Sequence, residues 1–450
     1  MKINRRLLGF MALVAVVSAT ALAAASIGGA NTNTKGVHQA SDASGSIEVW
    51  VDAPREAVTD AYIKSHPNVN VKKVIYDGDG NGATGLQTKI QLWNRTGSGW
   101  PDVIFTEQAN DPVWMGQAPF NFAADLKGIF PANLIKGWPA PSLAQCTVAG
   151  HLVCLQDNLA QEVLYVNQKL MKQFGYTVPK TWQQWAAIGN KVAKQHPGYV
   201  IGTVGDSYGH WLYLWPGQCP IEQVVGVKTV KIDASDVHCT RMAKLLDPLL
   251  KNGSVSNESI FTPSFVAKYG GAKDRILMMP GPTWYAGGGA TSVLASGTLG
   301  IPAGEVTAVL PLRWNREPLS TGQVGGGPWV VSKHTKNQEA AIDFVKWVTT
   351  TNEARNVAGG YPAYKPAANF QLYNMNHDDY FSAPPGPAMK AAAGLIWKGW
   401  SMVTYPDQPS WSNQVVAKLA QGKSLSSLLP ALDKDLTNNA KAAGYKVVNK

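Results

Sequence analysis

Ser46-Ile-Glu-Val-Trp-Val-Asp52, Pro54-Arg-Glu-Ala-Val-Thr-Asp-Ala-Tyr-Ile-Lys64, Val69-Asn-Val-Lys-Lys-Val-Ile-Tyr76 and Asp102-Val-Ile-Phe105 follow one another in the first quarter of the chain. The first and third stretches alternate apolar with other residues, the mark of a strand with one buried face. The second opens on a proline and has helical spacing. A helical stretch runs on to about Asn94, and Asp102-Val-Ile-Phe105 reads as a short, fully buried strand. Strands that alternate with helices predict parallel α/β layers.

Later segments keep this grammar. Thr181, after Pro179, opens a helix with Gln184 three residues on, a capping-box pattern. Asn337 starts another helix, in which Ala341, Ile342, Val345 and Val348 share one face, and Gly359-Gly360 is expected to stop it. The last 60 residues read as mainly helical, and no internal repeat is visible.

Composition narrows the class. The 450 residues are 45% hydrophobic and 16% charged, which excludes intrinsic disorder. Only the N-terminus holds a long apolar run, so a polytopic membrane protein is excluded. Four cysteines are too few to replace a core. The formal net charge is +10, with Lys2, Arg5 and Arg6 contributing three of those charges. The remaining basic residues form no run or basic helix, so no nucleic-acid partner is expected.

Met1-Lys-Ile-Asn-Arg-Arg6, an apolar core over residues 7–17 and the small residues around Ala21 and Ala23 describe a secretory leader, expected over residues 1–25. An uncleaved anchor is the alternative. Residues 26–45 are small and polar and read as a tether. Export to the periplasm or the outer face of the membrane permits disulfides. Local bridges within Cys146/Cys154 and Cys219/Cys239 are the economical choice among three connectivities. Gly150 is a natural turn residue between the first two cysteines. No Cys-x-x-Cys occurs and the histidines are scattered, so neither metal nor cofactor is expected.

Tyr165-Val-Asn-Gln-Lys-Leu-Met-Lys-Gln-Phe-Gly-Tyr-Thr-Val-Pro-Lys-Thr-Trp-Gln-Gln-Trp185 resembles the YYN…L…G…PKTW segment of ABC-transporter extracellular solute-binding proteins of family 1, the sugar-binding type. Gly99-Trp-Pro-Asp-Val-Ile-Phe105, Gly281-Pro-Thr-Trp-Tyr285, Gly325-Gly-Gly-Pro-Trp-Val-Val-Ser-Lys333 and Gly360-Tyr-Pro-Ala363 fall in that family's order. The resemblance implies a bilobal, periplasmic-binding-protein-like α/β fold whose discontinuous lobes are joined by a hinge. The first lobe would hold residues 46–157 and 323–361, and the second 165–305 and 369–450. Crossovers would fall at 158–164, 306–322 and 362–368. It further implies a carbohydrate ligand, an ABC permease as partner, a monomer and no catalysis. A non-sugar solute such as a polyamine, peptide or chelate is the alternative cargo.

A sugar presents a C–H face that packs on an aromatic ring and a rim of hydroxyls that need partners. The chain has 16 Trp, and most are expected in the core. The resemblance places Trp284 and Trp411 as stacking aromatics of the second lobe. Asp52 and Arg55 lie just past the first strand, where ligands meet the carboxyl ends of parallel strands; helix capping is the competing role. Thr106, Glu107 and Gln108 follow the third strand in the same way, with Glu107 the best hydroxyl acceptor. Asn158 and Gln161 lie at the first crossover, and Tyr361 precedes the last. Gly325 to Gly327 suit a close backbone approach or a tight turn.

Two motifs point elsewhere. Gly205-Asp-Ser-Tyr-Gly209 matches a nucleophile elbow, which would make Ser207 an esterase nucleophile with His238, His334 or His377 as base. A milder role has Asp206, Tyr208, His210 or Trp211 touching ligand. Asp77-Gly-Asp-Gly-Asn81 copies half of an EF-hand loop, but Thr88 stands where the bidentate Glu belongs. A glycine-rich loop at the mouth of the cleft is the plainer reading.

Overall fold

The computed structural model describes residues 43–80, 84–226, 228–400 and 403–448. The expected leader and all but residues 43–45 of the tether lie outside the described residues. Eight strands build the two main sheets: β1 (Gly45–Val51), β2 (Val69–Ile75), β3 (Val103–Phe105), β4 (Leu155–Gln156), β5 (Glu162–Asn167), β6 (Met278–Pro282), β7 (Val306–Val309) and β8 (Pro328–Val331).

The first sheet has the order β2-β1-β3-β8-β4, with β1, β2 and β3 parallel and β8 antiparallel to both neighbours. Alternation works as written: Ile47, Val49 and Val51 are buried while Glu48 and Trp50 are less so. Helix Glu56–Ser65 lays Val58 and Tyr62 inward, beside helix Gln338–Thr350 with Ala341, Phe344, Val345 and Val348. Because β1, β2 and β3 run the same way, their carboxyl ends open on one edge, and Asp52, residues 77–80 and residues 106–110 all emerge there.

The second sheet, β6-β5-β7, is antiparallel throughout. Every residue of β5 is buried, as a strand covered on both faces requires. The chain therefore leaves the first sheet after Gln156, enters the second at Glu162, and returns from Val309 to Pro328. The crossing segments pair with one another. Gln161 bridges Gln323 and Asn158 bridges Pro362, with Val324 N–H donating to Ala160 O at 3.0 Å and Leu159 N–H to Tyr361 O at 3.0 Å. Helix Lys365–Asn376 begins inside the third expected crossover; it packs on helix Asn352–Arg355 and on helix Gly386–Ala393, which lies against β5 and β7.

Local chemistry explains most helix ends. Thr181 Oγ1 accepts from Gln184 N–H at 3.2 Å, and the Gln184 side chain returns to Lys180 N–H at 2.8 Å, one residue before the cap. The helix from Gln338 stops at Thr350, earlier than the Gly359-Gly360 expected. Thr351 turns extended there and caps the next short helix by accepting from Ala354 N–H at 3.3 Å. Cys146 pairs with Cys154 across the hairpin Thr147–Val148/His151–Leu152, whose turn residues Ala149 and Gly150 both have positive φ. Cys219 pairs with Cys239 at the start of helix Val237–Lys251. No helix among the described residues is long and apolar enough to cross a membrane.

Candidate functional site

At the carboxyl edge of the first sheet, Asp52 does two things at once. Its Oδ1 accepts from Arg55 N–H at 3.1 Å, capping the turn Ala53–Arg55, and its Oδ2 holds Arg55 Nη1 at 2.9 Å. The guanidinium lies 4.0 Å over the Phe105 ring. Burial opposes the Arg55 charge, but Asp52, Asp157 and Glu107 more than offset it. Asp157 is itself paired with buried Arg355 at 3.3 Å.

Glu107 completes the cluster. Its backbone N–H donates to Gly78 O at 2.9 Å, so residues 78–80 are draped over its side chain. A Cβ on Gly80 would sit 2.6 Å from Glu107 Oε2, and one on Gly78 2.9 Å from Glu107 Cγ. Gly78 also has φ +68°, so glycine is required twice over. Burial, reinforced by the neighbouring Asp52 carboxylate and only partly countered by Arg55, pushes the Glu107 carboxyl up to about 8. This loop carries the half EF-hand motif. Asp79 is engaged with Leu86 N–H at 3.0 Å, at the start of helix Gly85–Thr96. Residues 81–83 lie outside the described residues.

An aromatic group follows β6 of the second sheet. Trp284 sits in the turn Thr283–Ala286 directly after β6, partly buried, its indole N–H donating to Val324 O at 2.9 Å. Tyr285 and Tyr208 meet it edge-on at 4.6 and 6.1 Å, and their hydroxyls lie 3.0 Å apart. Phe261, 49% exposed, runs nearly parallel to Trp284, with interplanar angle 12° and centroids 6.4 Å apart. Burial, Asp206 and, from the first lobe, Glu107 raise the Tyr208 hydroxyl well above the usual phenol range. The acid cluster and the aromatic group are therefore electrostatic neighbours.

The segment after β3 also touches residues 403–408 directly. Gln408 Nε2 donates to Gln108 Oε1 at 3.0 Å, and Gln408 Oε1 accepts from Ser207 Oγ at 3.0 Å. Asn110 Nδ2 donates to Val403 O.

Other expected site residues fall elsewhere. Trp411 is a core residue: it is 0% exposed, its N–H donates to Val204 O at 3.1 Å, and it stacks on His210 at 5.5 Å. It offers no face to a guest in this conformation. Gln161 is fully buried in its crossover, with Nε2 donating to Met389 O at 2.8 Å. Asn158 and Tyr361 are buried beside each other, and burial pushes the Tyr361 hydroxyl up to about 12. Gly326, at φ +102°, lets the Gln323 and Gln156 amides close on the backbone.

In the elbow motif Ser207 Oγ donates to Gln408 Oε1 at 3.0 Å. His210 Nε2 faces Asp407 at 3.0 Å and its Nδ1 has no hydrogen-bond partner, so it does not bond Ser207. Asp206 accepts from Ser259 Oγ at 2.6 Å and Ile260 N–H at 3.2 Å, holding the loop that presents Phe261. Sequence reasoning missed Phe261, Tyr285, Gln408 and the Asp157–Arg355 pair. Gln408 stood only as a letter of the motif around Trp411.

Residues 48–355, more than half of the chain, match the sequence model of the family described as bacterial extracellular solute-binding protein. A probable ABC transporter-binding protein of Deinococcus radiodurans is 24% identical over 270 residues, which are 55% of this chain and 59% of that protein. Among solved structures, the ABC transporter-associated binding protein of B. animalis subsp. lactis in complex with β-1,6-galactobiose superposes with TM-score 0.72 at 19% identity, covering 90% of this chain and 100% of that one. The galacto-N-biose/lacto-N-biose I-binding protein of a Bifidobacterium longum ABC transporter, in complex with lacto-N-biose, gives TM-score 0.72 at 15% identity, covering 90% and 99%. At these identities the likeness carries the fold, a bilobal α/β architecture of the periplasmic-binding-protein type.

Proposed function

Since the chain belongs to the bacterial extracellular solute-binding proteins, we propose that it is the exported binding component of an ABC importer, capturing a sugar or oligosaccharide between its lobes and handing it to the permease as a monomer. One observation carries the reading: a desolvated group of hydrogen-bonding acids and arginine (Asp52, Arg55, Glu107) lies within electrostatic reach of a partly exposed aromatic group (Trp284, Tyr208, Phe261). One side suits the hydroxyl rim of a sugar and the other its C–H face.

Charge supports a neutral guest. Near pH 7 Glu107 keeps its proton, and Asp52 and Asp157 are balanced by Arg55 and Arg355. A protonated Glu107 both donates and accepts, as a hydroxyl does. The bound disaccharides of the two bifidobacterial proteins point the same way.

The work is binding, not bond-making. A guest that contacts both lobes only when they are closed shifts the population toward closure, and moving from 1:99 to 99:1 needs a preference of about 5.5 kcal/mol. Calorimetry against mono- and disaccharides, with amines and peptides as controls, tests the proposal. Binding of a sugar is expected, and Trp284→Ala weakens it about tenfold, or about 1.4 kcal/mol, in a chain that still folds. Binding of amines or peptides alone would retire the sugar reading.

A further inference from the structure

The second lobe holds another polar centre, away from the first-lobe acids. His210 on helix Gly209–Tyr213, Glu222 just before strand Gln223–Gly226, and Asp407 at the cap of helix Gln408–Trp411 converge from three separate segments. All three are buried, at 0%, 0% and 5% exposure. One ligating atom from each lies within 4.8 Å of the other two. Among the described residues, this is where three such side chains gather so closely.

The hydrogen bonds leave this centre incomplete. Asp407 Oδ2 faces His210 Nε2 at 3.0 Å and accepts from Trp211 Nε1 at 2.8 Å, while its Oδ1 accepts from Gln408 N–H at 2.9 Å. Neither oxygen of Glu222 makes a well-formed hydrogen bond, although the Asp407 carboxyl group and the Trp211 and Trp400 indoles lie close to it. The buried Trp400 indole faces Glu222 without a well-aligned bond, and the buried Tyr405 hydroxyl, unpartnered, lies within the electrostatic reach of both acids. No lysine or arginine among the described residues pairs with either carboxyl group; the ion pair of Asp407 is with His210. A buried carboxyl with no partner costs on the order of 1–3 kcal/mol or more, so a fold that keeps one has a use for it.

We propose that His210, Glu222 and Asp407 bind one divalent transition-metal ion, of the zinc or manganese kind, as a structural centre of the second lobe. One imidazole nitrogen and two carboxylate oxygens form a donor set suited to such ions. A doubly charged ion between two carboxylates and a neutral imidazole leaves the interior uncharged, which lysine or arginine would otherwise have to arrange. Around a tetrahedral ion with bonds of about 2.0–2.1 Å the donor atoms stand about 3.3 Å apart. The contraction from the present spread falls on Glu222, whose carboxyl group no well-formed hydrogen bond holds in place. The bonds to Asp407 from Trp211 and Gln408 then act as an outer shell that orients a ligand. Since Gln408 also reaches Ser207 and Gln108, the ion would brace the wall that meets the first lobe.

The test is metal content. Full-length protein is unfolded in denaturant with a chelator, refolded with zinc or manganese chloride, desalted and measured by elemental mass spectrometry, with His210→Ala and the near-isosteric Glu222→Gln alongside. One ion per chain is expected in the parent, about tenfold less in Glu222→Gln, and a melting temperature that rises with metal in the parent alone. Cobalt(II) refolded into the parent would show the visible bands of a low-symmetry site. A parent chain that retains neither zinc nor manganese overturns the proposal. So does equal retention by Glu222→Gln, which would place the ion at other residues. The parent's own metal content decides the matter even if His210→Ala does not fold.

Discussion

Glu162 opens β5 where the chain first crosses between lobes, and replacing it with glutamine gives a sharp prediction. Glu162 is 3% exposed, its Oε1 has no hydrogen-bond partner, and burial alone pushes its pKa well above 4.5. In the unfolded chain the same group ionises near 4.5. Between those two values the folded state holds one proton more than the unfolded state, so stability is greatest below the unfolded pKa and is lost as pH rises toward the folded one. For one proton the loss is at most about 1.4 kcal/mol per pH unit, and it runs only over the interval between the two pKa values. Glu162→Gln keeps the shape and removes the titration. Denaturant unfolding of parent and variant at pH 5, 6 and 7 isolates this group, because every other acid titrates alike in both. The stability gap should widen in the variant's favour as pH rises, by no more than that slope. Parallel profiles would mean that Glu162 is ionised and solvated in the native protein, and the reasoning from its burial would fail.

Two further outcomes follow from the site. Glu107 is neutral below about 8 and ionises beside Asp52 above it, so affinity for a neutral sugar should weaken between pH 7 and 9; calorimetry on Glu107→Gln should show a flat profile, and equal slopes in the two proteins would remove Glu107 from ligand contact. Gln408→Ala removes the 3.0 Å bond to Gln108, worth about 1 kcal/mol; small-angle scattering should give a larger ligand-free radius of gyration in the variant and equal radii when both are saturated, whereas identical ligand-free curves would show that this bond does not hold the lobes together.

Much of this was legible in the chain because local rules operated unopposed. The alternation over Ser46 to Asp52 and Val69 to Tyr76 and the apolar run at Val103 to Phe105 set three parallel strands, and from them it followed that Asp52, Arg55 and Glu107 emerge at one edge. The local cysteine pairing was readable because its hairpin carries Gly150. What escaped was set by distance. Trp284 and Trp411 look alike in sequence, yet only packing by Val204 and His210 decides that Trp411 is interior. Phe261 follows no pattern at all, and its place depends on Asp206, which lies 55 residues earlier and holds its loop. The early helix stop at Thr350 reflects a local competition: Thr351 gains more by capping a new helix than by extending the old one.

The crossings between lobes are not separate strings. Gln161 lies against Gln323 and Asn158 against Pro362, laced by backbone bonds from Val324 and Leu159. Strips joined edge to edge flex across their width but resist sliding and twisting, since either motion would tear the lacing. Bending across their width is the motion such a laced spine resists least. If the binding role proposed above holds, a permease pressing on either rim would drive that same bend.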